Sequence, residues 1–93
     1  MVKELIQRRR LQVLVHSCIY YILDDSIIDD STWSRWAAEL VELQQKYPEI
    51  AETVCWHEAF SGFDGSTGFD LPLEDEWVLN KARYLLKRRK TDG

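Results

Sequence analysis

Residues 20–50 read YYILDDSIIDDSTWSRWAAELVELQQKYPEI. The stretch reads as the end of one helix, an acidic turn and the whole of a second helix, and this pairing decides the fold. The run before it, from about Val2 to Leu23, holds neither Gly nor Pro. Within it Leu11, Leu14, Val15, Cys18 and Ile22 recur at spacings of three and four, which draws an apolar stripe along a first helix. Arg8, Arg9 and Arg10 are expected around its outside. The turn from Asp24 to Asp29 breaks that helix, with Ile27 and Ile28 tucked inward. Asp30 or Ser31, both residue types that favour the N-cap, should start the second helix. Its buried face is expected to be Trp33, Trp36, Ala37, Leu40, Leu43 and Tyr47.

Pro48 then resets the chain and suits the first position of a short third helix, from Pro48 to about Trp56. Residues 57–72 read as a loop. Gly62, Gly65, Gly68 and the aspartates among them fit turn conformations, and Phe60, Phe63 and Phe69 are expected to anchor the loop to the core. A final helix spans about Leu73 to Arg89. Glu74, Asp75 and Glu76 fall in its first turn, where the helix dipole favours acids, and Val78, Ala82, Leu85 and Leu86 face inward. The expected fold is all-α: a single domain over residues 1–93, of three to four helices with one structured Gly/Phe-rich loop.

A chain of 93 residues makes one domain, near the size at which stability becomes marginal. No apolar run reaches the roughly 18 residues of a membrane span. The charged start has no signal-peptide core after it, so a cytoplasmic setting without membrane association is expected. Cys18 and Cys55 do not make a disulfide framework, and both should be reduced there. The net charge of −4 conceals an asymmetry: residues 24–76 hold 14 acids and two bases, whereas the two ends hold ten bases and two acids. The basic ends are expected to neutralise the acidic middle. The overall acidity argues against direct nucleic-acid binding.

With these elements placed, residues 20–50 resemble the small N-terminal helical domain of bacterial NAD-dependent DNA ligases. The order of features agrees: tyrosines closing a first helix, a Leu-Asp-Asp turn, an Asp cap, an aromatic one turn in, then Glu-Leu and Tyr-Pro-Glu-Ile. The resemblance covers roughly a third of the chain. It implies two helices around an acidic turn that hold the nicotinamide mononucleotide half of NAD. The family uses a Tyr-His pair at the end of the first helix, an Asp in the turn, and a Tyr-Asp pair at the start of the next helix. Tyr20 falls on the first tyrosine and Tyr21 replaces the histidine. Asp30 matches the turn aspartate, Trp33 replaces the second tyrosine, and Ser34 replaces the last aspartate. The physical logic partly survives these changes. An oxidised nicotinamide ring is a cation, aromatic faces attract cations, and Asp30 offers a ribose an acceptor. With the His and the second Asp replaced, binding of nicotinamide mononucleotide or NAD is expected to be weak, and no cofactor is held firmly. The competing account is structural: Tyr20 and Trp33 pack the helix hairpin while Asp30 caps the second helix. An open cleft beside Asp30 favours the first account, and burial of Tyr20 and Trp33 favours the second.

Other patterns point to less. His16-Ser17-Cys18 and Cys55-Trp56-His57 look like mirrored zinc half-sites, but residues two apart on a helix face away from each other, so Cys18 is expected in the core. Asp64, Ser66, Asp70 and Asp75 suggest a calcium loop, but Phe69 stands where that loop needs Gly. Lys90-Thr91-Asp92-Gly93 spells the K-x-D-G of adenylated lysines in nucleotidyl transferases. No domain that would build a pocket follows it, and chance at a polar terminus is the expected reading. No catalytic constellation is visible, and no metal site is expected. The resemblance and the small size imply a noncatalytic, stand-alone ligase-related module of the kind carried by phages. The alternative is a module that binds an unknown protein partner, or inhibits a host nucleic-acid-binding or defence enzyme, through its acidic face.

Overall fold

The computed structural model describes residues 2–92, with side chains through residue 88. The chain forms α1 (Val2–Tyr21), α2 (Asp30–Lys46), the single turns α3 (Pro48–Ala51) and α4 (His57–Phe60), and α5 (Glu76–Asp92). No strand forms among the described residues, so the all-helical expectation holds. The K-x-D-G tetrapeptide at 90–93 lies outside the described side chains. Among the described residues, no helix is long and apolar enough to cross a membrane.

α1 is the central element and packs against α2, α3 and α5. It is therefore buried on more than one side, and its apolar stripe is broader than the spacing predicts. Ile6, Val13 and Ile19 join Leu14, Val15 and Cys18 in the core, whereas Ile22 is 41% exposed. Asp24 ends this helix in the left-handed region at φ 53°, a conformation that Asp tolerates better than most residues. The Asp25 N–H then donates back to the Ile19 carbonyl at 3.0 Å. Ile27 and Ile28 are half-buried, as expected.

Arg10 corrects the sequence reading. It does not lie outside; it is 1% exposed. Its Nη1 donates to the carbonyls of Val54 (3.0 Å) and Cys55 (3.1 Å), its Nη2 to that of Ala51 (3.1 Å), and its Nε to Gln44 Oε1 (2.8 Å). The guanidinium also lies over the Phe60 ring. A buried cation is costly without partners. Here the carbonyls at and just after the end of α3, together with Gln44 of α2, supply them. Burial pulls the Arg10 pKa down, and Cys55 opposes that shift.

The stretch after α3 is less regular than a helix to Trp56. Thr53 takes the Ile50 carbonyl through both its N–H and its hydroxyl. Trp56 sits at φ 71°, which costs a non-glycine residue roughly 1–2 kcal/mol, and its ring packs beside Trp77. α4 then opens the stretch expected to be loop. Phe60 is buried and Phe63 half-buried, stacked edge-on at 5.2 Å between centroids. Phe69 corrects the expectation: it is 65% exposed and packs edge-to-face with Tyr21, while Leu71 and Leu73 fill the core there instead. Asp75 receives the N–H groups of Trp77 and Val78 at the start of α5, so that helix begins slightly later than predicted. Val78 and Ala82 are buried beneath it.

Candidate functional site

Where the acidic turn joins α1 to α2, a cleft of about 230 Å³ opens beside them. Tyr20 and Tyr21 reach it from the end of α1, and Asp30, Trp33 and Ser34 from the first turn of α2. All the residues predicted for the site therefore meet in one place. On α2 helical spacing explains the convergence of Asp30, Trp33 and Ser34, since residues three and four apart share a face; the turn brings the end of α1, with Tyr20 and Tyr21, beside them.

The capping question is decided by one residue. Asp29, not Asp30 or Ser31, is the N-cap of α2. Its Oδ1 accepts from the Thr32 N–H at 2.8 Å and from the Ser31 hydroxyl at 3.1 Å. Hydrogen bonds from Thr32, then from Ser31, hold the Asp29 carboxyl below the usual carboxylate range, with a minor contribution from Arg35. Asp30 is released from that duty and stands exposed at the cleft.

The aromatic residues divide their roles. Tyr20 is 56% exposed, with its ring edge-on to Tyr21. Tyr21 is fixed through its hydroxyl, 2.9 Å from Thr67 Oγ1. Trp33 both packs and lines the cleft: its indole N–H donates to Ser17 Oγ at 3.1 Å, and its ring meets Phe63 edge-on. The structural account of Trp33 and the functional one thus describe different faces of one side chain.

Several wall residues were missed. His16 and Ser17 line the cleft one turn below Tyr20 and Tyr21, and the same spacing of four could have found them. His16 Nδ1 is buried with no hydrogen-bond partner among the described residues. Its ring packs beside Trp36, and burial pushes the imidazole below its ordinary pKa of 6.5. Ser66 and Thr67 form the opposing wall, and no local signal announces them. Gly68 sets their approach: a Cβ there would meet Ser17 Oγ at 2.0 Å. Asp64 stiffens the preceding bend by accepting from the Ser66 N–H and hydroxyl. Among the described residues, no three His, Cys, Asp or Glu side chains gather closely enough to hold a metal ion.

Two helices joined by an acidic turn, with aromatic rings and an exposed carboxylate lining the cleft beside them, define a small helical module. The chain belongs to the family described as DNA ligase-like, N-terminal NAD+-binding domain, whose model matches residues 1–53. Curated relatives agree. It is 41% identical over 49 residues to a DNA ligase of Pseudothermotoga lettingae and 39% over 49 residues to one of Petrotoga mobilis, each match covering 53% of this chain and 7% of the ligase. A DNA ligase of Desulforudis audaxviator is 42% identical over 41 residues, 44% of this chain and 6% of the ligase. The chain thus matches only a small fraction of these relatives' length. No solved structure matches it. The cleft wall formed by Ser66 and Thr67 lies beyond the family match.

Proposed function

We propose that this chain is a noncatalytic module that binds the nicotinamide–ribose part of nicotinamide nucleotides weakly, in the cleft between α1 and α2. The observation that carries this reading is the placement of Asp30. Asp29 caps the helix, so the neighbouring carboxylate faces an open cleft beside Tyr20 and Trp33. The aromatic faces suit a cationic ring, and Asp30 and Ser34 suit sugar hydroxyls. Weakness follows from Tyr21: its hydroxyl is engaged with Thr67, and each polar contact withdrawn from a ligand costs on the order of 1 kcal/mol. The noncatalytic part rests on the lining, which among the described residues offers no lysine to be adenylated.

An amide-resolved NMR titration with nicotinamide mononucleotide tests the binding. Shifts should cluster at Tyr20, Tyr21, Asp30, Trp33 and Ser34. Shifts centred elsewhere, or none at millimolar concentrations of either the mononucleotide or its riboside, refute it. Mass spectrometry after incubation with NAD tests the rest, and a covalent adenylate on any lysine would overturn it. A second reading, a surface for a protein partner, is favoured by the exposed ladder of Tyr20, Tyr21 and Phe69 beside Asp24 and Asp25. Capture of a basic partner that survives Asp24→Lys and Asp25→Lys would exclude the acidic part of that surface.

A further inference from the structure

The charge pattern of the cleft narrows its ligand. Asp29 and Asp30 line it, and among the described residues no Lys or Arg does. Arg35 acts on Asp29 only as the least of several influences and is not part of the lining. His16 is the base in the wall, and burial pushes its imidazole below 6.5, so it is neutral near pH 7. Asp24 and Asp25, exposed in the same turn, add charge of the same sign. The start of α2 would ordinarily be a place for a phosphate, since free backbone N–H groups and the helix dipole attract anions there. In this chain the Asp29 carboxylate already stands at that place and brings its own negative charge. The Asp29 carboxylate holds the Thr32 N–H at 2.8 Å, and the Trp33 N–H is bonded to the Asp29 carbonyl at 3.2 Å.

We infer that the cleft selects a cationic pyridinium nucleoside without a phosphate, the nicotinamide riboside class, over the corresponding mononucleotide. The inference rests on the nicotinamide-binding reading and deepens it. The pyridinium charge is attracted by the faces of Tyr20 and Trp33 and by two carboxylates. A 5′-phosphate adds a charge of about −1.5 to −2 near neutral pH and meets carboxylates with no cation to offset them. Repulsion between such groups across a solvated cleft, screened over about 8 Å at physiological salt, amounts to roughly fivefold in affinity at low salt and less at high salt. The positive ring itself contributes on the order of threefold at an exposed aromatic site.

The test titrates the whole chain with three probes, followed by NMR at the cleft residues: nicotinamide riboside, nicotinamide mononucleotide, and the reduced, uncharged riboside. The oxidised riboside should bind about fivefold tighter than the mononucleotide at about 0.01 M salt, with the gap narrowing by about 0.15 M. The reduced riboside should bind about threefold weaker than the oxidised one. Asp30→Asn, which leaves the cap intact, should shrink the gap between riboside and mononucleotide to about twofold. Mononucleotide binding as tight as the riboside, or tighter, overturns this inference and leaves the nicotinamide reading standing. Equal binding of the reduced and oxidised ribosides overturns the role of the ring charge. Failure of both oxidised ligands to perturb the cleft overturns the inference and the reading together.

Discussion

Substituting Gly68 by Ala tests whether the loop wall of the cleft stands where it does for steric reasons. The added Cβ would lie 2.0 Å from Ser17 Oγ, 2.7 Å from Ser17 Cβ and 3.3 Å from Trp33 Cζ2. Ser17 is 1% exposed in the central helix and cannot withdraw, so the loop must move. Overpacking of this kind costs about 1–3 kcal/mol. If Ser17 Oγ turns away to relieve the clash, the Trp33 indole N–H loses its 3.1 Å partner, at about 1 kcal/mol more. The expected loss is thus about 2–4 kcal/mol, or roughly 10–25 °C in Tm for a domain of this size. Thermal unfolding followed by circular dichroism reads it directly. Gly62→Ala is the control, because a Cβ there meets nothing within 4 Å, and it should stay within about 0.5 kcal/mol of the parent. Ser17→Gly removes both clashing atoms while costing about 0.5 kcal/mol in helix propensity and about 1 kcal/mol for the partner lost by the Trp33 indole. In the double variant the two changes should offset each other, with a favourable coupling above about 1 kcal/mol. If Gly68→Ala melts together with Gly62→Ala, the loop does not rest on Ser17 and the reasoning fails.

Other outcomes follow from the same contacts. Arg10→Ala strips the carbonyls of Val54 and Cys55 of their guanidinium donor and leaves that of Ala51 with the Val54 N–H alone, and should cost about 2–5 kcal/mol in urea unfolding, at about 1–3 kcal/mol for each carbonyl left unpaired; a loss below 1 kcal/mol would show that water replaces the guanidinium freely. Asp29→Ala removes the N-cap and should lower Tm, whereas Asp30→Ala should leave Tm unchanged and weaken ligand binding; the reverse pattern would exchange their assigned roles. The folded state holds the His16 pKa below 6.5, so the unfolded state takes up the proton first as the pH falls. The stability that depends on neutral His16 is therefore present above that value and lost as the pH drops below it. His16→Phe should flatten the change in urea midpoint between pH 7 and pH 5, about the ordinary pKa of histidine, and an unchanged slope would refute burial as its cause. Asp29 adds a separate loss at lower pH. Its carboxyl lies below its ordinary 3.8, and its contribution disappears only as the pH falls through the folded-state value.

The helices were legible because their signals are local. Leu14, Val15 and Cys18 on α1 and Ala37 and Leu40 on α2 announce buried faces by spacing alone. The same spacing puts Asp30, Trp33 and Ser34 on one face of α2, and the turn sets Tyr20 and Tyr21 at the end of α1 beside them. Sequence could not choose between Asp29 and Asp30 as the cap, because adjacent aspartates offer the same chemistry and a shift of one residue exchanges their roles. It placed Arg10 on the surface because an arginine's usual solvent is water. Only the packing of α2 and α3 against α1 brings Gln44 and three carbonyls within reach, making burial of the charge tolerable. Phe69 and the Ser66-Thr67 wall share that origin: Leu71 and Leu73 occupy the core that Phe69 was expected to fill, and Gly68 lies against Ser17 across 51 residues of chain. Periodicity records what each residue does with its neighbours on a helix. Contacts between distant segments depend on which spaces other side chains have already filled, and only the assembled tertiary structure decides that.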